Sequence, residues 1–400
     1  MSEMSYLEKL LDGVEVEWKT LGQTCKIETG KLNANAAVDD GEYMFFTTAK
    51  ETSKIDKFRW DTEALLIAGN ANVGEVKHYI GKFEAYQRTY VLTNFDENVS
   101  VRFLYFVLSH SLKKYLEERT NSAAMTYIVL STLENFPIPI PCPDNPEKSL
   151  AIQSEIVRIL DKFTALTAEL TAELTAELNM RKKQYNYYRD QLLSFDESSV
   201  EWKTLLEACD YVDYRGKTPK KTQSGIFLVT AKNIRMGYID YHASQEFISE
   251  EDYAIVMRRG LPKKGDVLIT TEAPCGFVAQ VNRENIALAQ RVIKYRSKNT
   301  QLSNSFLKHY LLGSQFQDKL MQAATGSTVK GIKGSRLHQL KIPIPSKVEQ
   351  DRIVAILDKF DTLTNSITEG LPREIELRQK QYEYYRDLLF SFPTPETVSN

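Results

Sequence analysis

Apolar side chains recur every three or four residues over a long stretch in the middle of the chain. They run from Ile152 to Leu178 without an intervening Gly or Pro, and the pattern continues to Leu192. This spacing predicts a single amphipathic helix of roughly 45 residues, about 65 Å long. A helix of this length with one apolar stripe needs a partner that covers the stripe.

A second stretch, residues 353–375, carries the equivalent stripe near the end of the chain. We expect the two stretches to form an intramolecular antiparallel coiled coil, because each can cover the apolar stripe of the other. The second stretch also contains Gly370 and Pro372. These two residues predict a kink or a local opening in the second helix.

Shorter runs rich in β-branched and aromatic residues lie in the two remaining parts of the chain, between Gly-rich turns. They predict strands at residues 43–49, 64–69, 225–231 and 266–271. Near the end of each part, apolar positions on one face predict helices at 103–118 and 306–322. The predicted fold class is α+β, with two similar mixed α/β domains joined by two long helices.

The chain is an internal duplication. VEWKTL occurs identically at 16–21 and 200–205, and RKKQYNYYRDQLLSF at 181–195 returns at 378–392 with 11 of 15 positions identical. Each variable part ends in a Pro-spaced run, FPIPIP or KIPIP, where alternating Pro forbids helix and predicts an extended exit. The predicted order is a first domain at 1–147, a helical spacer at 148–198, a second domain at 199–345, and a second spacer and tail at 346–400.

Charge is distributed unevenly along this chain. The formal net charge of −2 argues weakly against a nucleic-acid partner, because phosphate binding depends on Lys and Arg. Residues 14–147 carry 14 basic and 19 acidic side chains, whereas residues 200–345 carry 22 basic and 13 acidic ones. The second domain, with a net charge of +9, is therefore the part that can attract a polyanion.

Two features identify the candidate DNA-contacting residues: short sequence similarities between the two domains, and local clusters of basic residues. ALLIAGNANVG at 64–74 resembles DVLITTEAPCG at 266–276, and the segment 324–337 combines glycine turns, small hydroxyls and basic side chains. Arg and Lys can bond to guanine edges and phosphates, and Asn and Gln can bond to adenine edges. An ordinary solvated role remains open for each residue, since spacing does not tell which side chains reach bases. The candidates are Asn70, Asn72, Gln87, Arg88, Lys217, Lys220, Lys221, Arg258, Arg259, Lys263, Lys264, Gln290, Arg291, Thr325, Ser327, Lys330 and Lys333.

The tyrosine-rich ends of the two helical segments place aromatic rings on more than one helix face, beside basic residues. One face can belong to a core, and the rest suits a protein–protein contact, because Tyr and Arg are enriched at interfaces. Stacking of these rings on bases is the alternative, which the mixed charge of the flanking helix disfavours. The predicted partner-binding residues are Tyr185, Tyr188, Arg189, Tyr382, Tyr385 and Arg386.

Several kinds of chemistry find no support in the sequence. The four cysteines lie far apart, which predicts buried thiols with neither a metal nor a disulfide. The Gly216-Lys217-Thr218 run lacks the earlier Gly of a Walker A loop, because Tyr211 stands there. The histidines are scattered without an evident nucleophile. The first residues match neither a secretory signal nor a membrane span, so we expect a cytoplasmic protein that does not contact membranes.

Three tandem TAEL units fill residues 167–178 of the first helical segment. One reading is a solvated helix that arose by sequence slippage. Geometry offers a sharper hypothesis, because one four-residue unit lengthens a helix by about 6 Å and turns it by about 40° beyond a full revolution. One base pair turns DNA by about 35°, so the number of units is suited to set the distance between two half-sites, although the match in length is poorer.

Two unlike domains, each closed by a Pro-Ile exit and a helix that ends in QYxYYRDxLxSF, resemble the specificity subunit of type I restriction–modification systems. The tandem TAEL units resemble the IC branch of that family in particular. The resemblance covers the whole architecture, and in the repeated helical segments it extends to individual motifs. In the variable domains only the general plan matches, so the target is not implied.

This resemblance implies a non-catalytic chain whose two domains each read one half of a split site in double-stranded DNA. It implies methyltransferase subunits, by symmetry two, docked on the helical segments, and restriction translocase–nuclease subunits in the full complex. The chain would carry no cofactor, while the complex would use S-adenosylmethionine, ATP and Mg. By the same analogy, three TAEL units imply the longer spacer class. A coiled-coil scaffold with duplicated protein-binding domains is the alternative, and a self-sufficient methyltransferase is another.

Overall fold

The computed structural model describes residues 6–119, 127–214, 219–366 and 369–393. The chain divides into two compact units, which we call unit 1 (Met1–Thr171 with Leu377–Asn400) and unit 2 (Ala172–Glu376). Each long helical segment therefore contributes residues to both units.

Unit 1 contains one large sheet and several helices. Its strands are β1 (Val16–Thr20), β2 (Lys26–Thr29), β3 (Tyr43–Phe46), β4 (Ser53–Ile55), β5 (Trp60–Ala68), β6 (Val76–Ala85), β7 (Thr89–Thr93) and β8 (Pro137–Pro141). Its helices are α1 (Tyr6–Leu11), α2 (Leu21–Thr24), α3 (Val101–Glu118), α4 (Leu130–Glu134) and the first part of α5 (Pro146–Leu192), with a short 3₁₀ turn at Ala34–Ala36.

The large sheet of unit 1 has the strand order β2-β7-β5-β6-β3-β4. Strand β5 lies near its centre and is buried on both faces, because alternate side chains of a strand point to opposite faces. Leu65 and Ile67 belong to the core that includes α3 and the start of α5. Ala64 and Leu66 pack in a smaller cluster with aromatic side chains on the other face. The continuous apolar run at 64–69 is thus explained by two-sided burial.

Unit 2 contains a four-stranded sheet packed between helices and a second sheet. Its strands are β9 (Glu201–Thr204), β10 (Cys209–Asp213), β11 (Lys221–Thr222), β12 (Ile226–Val229), β13 (Phe247–Ile248), β14 (Val267–Thr271), β15 (Cys275–Gln280), β16 (Ile286–Leu288), β17 (Val292–Ser297) and β18 (Lys341–Ile344). Its helices are the end of α5, α6 (Leu205–Ala208), α7 (Glu250–Val256), α8 (Asn304–Leu312), α9 (Ser314–Ala323), α10 (Gly334–Leu337), α11 (Lys347–Asn365) and the start of α12 (Gly370–Leu389), with a 3₁₀ turn at Met257–Arg259.

The two sheets of unit 2 have the orders β10-β17-β14-β15 and β11-β13-β12-β16. Strand β14 repeats the arrangement of β5. Val267 and Ile269 face the core that contains α8 and α9. Leu268 faces a separate core shared with the second sheet. The resemblance between the two sequence stretches at 64–74 and 266–276 therefore reflects a buried strand at the same place in each unit.

Both units contain the same arrangement of an antiparallel strand pair and a buried glutamine, which we call the frame. The Pro-rich exits are strands, as predicted: β8 pairs antiparallel with β1, and β18 pairs antiparallel with β9. A buried glutamine in the helix that follows then binds the backbone of the same unit. Gln153 Oε1 accepts from the Ser100 amide at 2.8 Å. Gln350 Oε1 accepts from the Ser303 amide at 2.8 Å.

The long helices confirm the predicted α+β class with two domains joined by helical segments. Helix α5 is continuous over 47 residues. The second segment is broken, because α11 ends at Asn365 and α12 begins at Gly370, whose φ is +79°. In unit 1 the α5 residues Phe163 and Thr164 meet the α12 residues Tyr385 and Tyr382, respectively, so the two helices run antiparallel there.

The prediction of one continuous helix near the end of the second domain is wrong. Residues 306–322 form two helices, α8 and α9, which are separated at Gly313. Gly has a low helix propensity and lies there in an extended conformation with ψ 148°. The amide of Ser314, which begins the new helix, donates to Asp190 Oδ1 at 3.1 Å. The break is stabilised by this long-range contact, which the local apolar pattern does not contain.

Candidate nucleic-acid interface

The sheet of unit 2 brings two of the predicted DNA-contacting residues to one edge. Strands β14 and β17 are antiparallel neighbours, so the end of β14 at Thr271 lies beside the start of β17 at Val292. The Gln290-Arg291 turn precedes β17, and the Thr271 amide donates to the Arg291 carbonyl at 2.8 Å. Gln290 and Arg291 therefore lie at the edge where β14 ends.

A second segment reaches the same edge from the far end of the domain. Thr325 and Gly331 exchange two backbone hydrogen bonds of 2.8 and 2.9 Å, which close a tight loop over the residues between them. Gly331 also bridges to Glu272, which directly follows β14. The Ile332 amide donates to the Thr271 carbonyl at 2.9 Å. The loop is thus fixed to the sheet edge at both Thr271 and Glu272.

The tip of this loop, residues 326–330, is exposed to solvent along its whole length. Gly326 has φ +112°, and a Cβ atom there would lie 2.1 Å from the Val329 carbonyl oxygen. The turn therefore requires glycine. It presents the predicted residues Ser327 and Lys330 together with Val329, which is 53% exposed. Hydroxyls, a cation and free backbone groups at one rim are suited to contact a polyanion.

Lys333 and Thr325 flank the loop, and both are exposed. Lys333 is the N-cap residue of α10. With Gln290, Arg291, Ser327 and Lys330, they make up the surface that we call the loop edge of unit 2. It brings together six of the predicted DNA-contacting residues, although these are about 40 positions apart in sequence.

Glu272 is a member of the loop edge that the sequence-based prediction missed. Its Oε2 lies 3.4 Å from Arg291 Nε, and the two side chains are 45% and 55% exposed. An ion pair this exposed contributes little to stability. The signal was present in the sequence, because Glu272 occupies the position in 266–276 that Asn70 occupies in 64–74.

Other predicted basic residues do not reach the loop edge. Lys263 and Lys264 are exposed, but they precede β14 and so lie at the opposite end of the strand from Glu272. A five-residue strand separates the two ends by about 17 Å. At that opposite end, the buried carboxylate of Asp266 is bound by Arg296 at 2.6 Å and by Lys294 at 3.6 Å.

The remaining basic candidates of unit 2 are partly engaged within the unit. Lys221 Nζ pairs with Glu246 at 2.9 Å. Arg259 donates to the Asp213 carbonyl at 3.1 Å. Lys220 and Arg258 have exposed side chains, and Lys217 lies outside the described residues. Lys221 and Arg259 therefore bind residues outside the loop edge.

Unit 1 has a corresponding edge, with the same Gln-Arg turn and a different residue beside it. Gln87 and Arg88 are exposed in the turn between β6 and β7, and the Arg88 carbonyl accepts from the Gly69 amide at 2.9 Å. Asn70 bridges to Tyr127, as Glu272 bridges to Gly331 in unit 2. The segment that would match the loop tip lies outside the described residues.

The two predicted DNA-contacting asparagines of unit 1, Asn70 and Asn72, are only partly exposed. Asn72 Nδ2 donates to the Thr48 carbonyl at 2.7 Å and so fixes the loop that follows β3. This bond orients the amide of Asn72 and leaves its Oδ1 as the group that could accept from a base, so the predicted DNA contact of Asn72 stays a prediction. Asn70 Oδ1 is buried without a hydrogen-bond partner among the described residues.

Among the predicted partner-binding residues on the helical segments, Tyr185 is less exposed than expected. Tyr185 is only 7% exposed, and its ring packs on Phe360 at 6.2 Å in unit 2. It belongs to the core of unit 2, which argues against the predicted partner contact by this ring. Tyr188 is 47% exposed and stacks on the same ring at 5.9 Å. Arg189 is mostly buried and pairs with Asp190 at 3.0 Å.

In unit 1 the equivalent residues border an apolar groove. Tyr385 is 40% exposed and stacks on Phe163 with ring centroids 5.5 Å apart. Together with Tyr6 and Leu388, these rings line a groove of about 400 Å³. Tyr382 and Arg386 lie along the same helix, α12, with part of each side chain exposed. The groove offers apolar surface to a docked protein.

Burial makes two of the cysteines unreactive. It raises the pKa of Cys25 to about 12, and it raises the pKa of Cys209 to about 12 as well. Both thiols are therefore protonated near neutral pH, where only the thiolate acts as a nucleophile or metal ligand. No group of three His, Cys, Asp or Glu side chains in the described ranges is arranged to hold a metal ion. Among the helices of the described ranges, none is long and apolar enough to cross a membrane.

Comparisons with known proteins point in one direction. A family model described as the type I restriction modification DNA specificity domain matches residues 13–180 and 202–377. The EcoR124I/EcoR124II specificity subunit of a type I restriction enzyme of Escherichia coli is 44% identical, with 100% of each chain covered. The EcoprrI specificity subunit of Escherichia coli is 37% identical over 92% of this chain and 93% of its own.

A solved structure shares the fold at low sequence identity. The chain is similar to one from a study of complex assembly and conformational transition of the type I R-M system, with a TM-score of 0.61 and 15% identity. The similarity covers 94% of this chain and 98% of the other. At this identity the match concerns the fold alone.

Proposed function

Because the chain belongs to the family of type I restriction–modification DNA specificity subunits, we propose that it selects the DNA sequence on which a type I complex acts. Each unit reads one half of a split target in double-stranded DNA. The loop edge of unit 2 contacts one half, and the edge around Gln87 and Arg88 contacts the other. The helical segments set the gap between the halves.

One observation carries this proposal. The same frame is built twice, with β1–β8 and β9–β18 closing the units and Gln153 and Gln350 binding equivalent backbone positions. The two edges share a Gln-Arg turn, Gln87-Arg88 and Gln290-Arg291, but differ beside it, since Asn70 stands where unit 2 has Glu272. A duplicated support with two different contact surfaces is what a reader of two unlike half-sites requires.

The remaining parts of the complex follow from the same proposal. Methyltransferase subunits, by symmetry two, dock on the helical segments and supply chemistry that uses S-adenosylmethionine. Translocase–nuclease subunits add cleavage that uses ATP and Mg. This chain itself binds DNA and partners without catalysing a step, and it works in the cytoplasm.

We propose that a methyltransferase subunit covers the apolar groove of unit 1. Tyr385→Ala should weaken its association with the chain, because the ring forms one wall of the groove. Tyr238→Ala is the matched control, since Tyr238 is 41% exposed but lies outside the helical segments. Native mass spectrometry of the assembled complex measures both, and equal occupancy in the two variants would contradict the docking site.

Exchange of one variable domain tests the reading of half-sites. Residues 20–140 are replaced by the matching residues of the EcoR124I/EcoR124II subunit, and the chimera is co-expressed with an active methyltransferase subunit. The methylated sequence should change in one half and keep the other half and the gap. A change in both halves, or in neither, would contradict the proposal. The scaffold alternative predicts no methylation pattern that depends on this domain.

A further inference from the structure

Arg291 has a backbone conformation that non-glycine residues adopt rarely. Its φ is +69°, in the left-handed region that costs an L side chain roughly 1 kcal/mol or more. The bond from the Thr271 amide to the Arg291 carbonyl, 2.8 Å long, holds the residue in this conformation. A turn under no other constraint would place Gly or Asn here. The strain indicates that this position needs the arginine side chain for something other than stability.

The side chain is held as well as the backbone. Glu272 Oε2 lies 3.4 Å from the Arg291 Nε, on one edge of the guanidinium. Since both side chains are about half exposed, the contact contributes little energy and acts on orientation. Among the described residues no second partner binds this guanidinium, and the Arg291 side chain is 55% exposed, so its terminal nitrogens are accessible to a ligand.

The terminal edge of a held guanidinium has a specific chemical match. Two parallel N–H groups fit the O6 and N7 acceptors that guanine presents in the major groove. Lys330 and Ser327 lie on the adjacent loop and are suited to contact backbone phosphates. The phosphate contacts would position the duplex, and the planar fork would read one base.

We propose that Arg291, oriented by Glu272, reads a guanine in the half-site contacted by unit 2. This inference rests on the proposed function and adds to it the base and the side chain. Arg88 occupies the corresponding turn of unit 1, where Asn70 replaces Glu272. Asn70 carries no charge that could hold a guanidinium, so Arg88 provides a matched control.

The test uses the chain assembled with methyltransferase subunits and a duplex that carries its mapped target. Each guanine of the half-site is replaced in turn by 7-deazaguanine, which lacks the N7 acceptor, and the affinity is measured by fluorescence anisotropy. In the unaltered complex, one replacement should weaken binding by roughly 2- to 12-fold, because the analogue removes one of the two acceptors of a bidentate contact worth about 1–3 kcal/mol. In Arg291→Gly the same replacement should have no further effect.

Arg291→Gly separates recognition from folding, because glycine adopts a φ of +69° without strain. Its melting temperature should equal or exceed that of the unaltered chain, while the selectivity at one base pair is lost. Glu272→Gln should keep the same guanine but reduce the effect of 7-deazaguanine. Arg88→Ala should leave the effect in this half-site unchanged.

Different failures have different meanings. A complex that binds all duplexes equally would overturn the proposed function and this inference with it. Sequence-specific binding that is insensitive to every 7-deazaguanine, or a half-site without guanine on either strand, would overturn the role of Arg291 alone. So would an Arg291→Gly complex that retains the full effect of the analogue.

Discussion

Gln153 links α5 to the start of α3, and its removal tests the frame that supports unit 1. The side chain is fully buried. Its Oε1 accepts from the Ser100 amide at 2.8 Å, and its Nε2 donates to the Asn98 carbonyl at 2.9 Å and to Ser149 Oγ at 3.1 Å. Ser100 is also the N-cap of α3. Gln153→Ala therefore removes three bonds at the junction of two helices.

The expected loss follows from the groups left without partners. The Ser100 amide and the Asn98 carbonyl would lose their partners at a partly buried junction, and a buried group left unsatisfied costs about 1–3 kcal/mol. Allowing for some relaxation of the loop, local stability should fall by about 2–4 kcal/mol. Since every 1.4 kcal/mol is tenfold, amide exchange at the start of α3 should speed up by about 30- to 1,000-fold.

Hydrogen–deuterium exchange measured by mass spectrometry is the appropriate assay, because a chain with two units need not unfold in one step. Peptides that cover residues 98–104 report the change in Gln153→Ala. The control is Gln191→Ala on the same helix, whose side chain is exposed. Gln350→Ala should produce the same effect after Ser303 in unit 2. Unchanged exchange in residues 98–104 of Gln153→Ala would refute the structural role of this amide.

Three other changes give further tests. Deleting Thr175–Leu178, one TAEL unit, shortens α5 by about 6 Å and turns it by about 40°, so a methylation map should show a gap one base pair shorter; an unaltered gap would remove the spacer hypothesis. Gly326→Ala should weaken specific DNA binding and lower the melting temperature only slightly, because its Cβ would lie 2.1 Å from the Val329 carbonyl and force this exposed loop open; full affinity by anisotropy would contradict this. Burial lowers the pKa of His309, so its neutral form favours the folded state and this contribution is lost on acidification below about 6.5. The hydrogen bond with His309 lowers the pKa of Asp358, whose contribution is lost only below about 3.8. His309→Phe, which copies Phe106 of unit 1, should flatten the pH dependence of the melting temperature between about pH 7.5 and 5.5; an equally steep dependence would count against it.

The parts of the fold that could be predicted from the sequence depend on local patterns. Helix α5 follows from a stripe that is uninterrupted from Ile152 to Leu178, and the exits follow from the alternating Pro of residues 137–141. Both signals act within a few neighbouring residues. The break at Gly313 did not follow, because the Ser314 amide is bound by Asp190, which is more than 120 residues away.

The candidate site was predicted less well, because it too depends on contacts between residues that are far apart in sequence. Lys263, Lys264, Arg291 and Lys330 are all basic and lie in one domain, but only the last two reach the loop edge. The strand register that separates them is a tertiary property. Tyr185 and Tyr188 are three residues apart in one motif, yet the helix pairing buries the first ring and exposes the second. A motif marks such residues without telling which face is covered.

The most direct test of target selection is to co-express the chain with a cognate methyltransferase subunit and to map methylated adenines across a genome by single-molecule sequencing. We expect one split motif, with two short defined halves separated by a fixed gap. Exchanging residues 20–140 should then replace one half only. A complex that forms with active partners but methylates no defined sequence, or methylates an unsplit one, would contradict the assignment of one half-site to each unit.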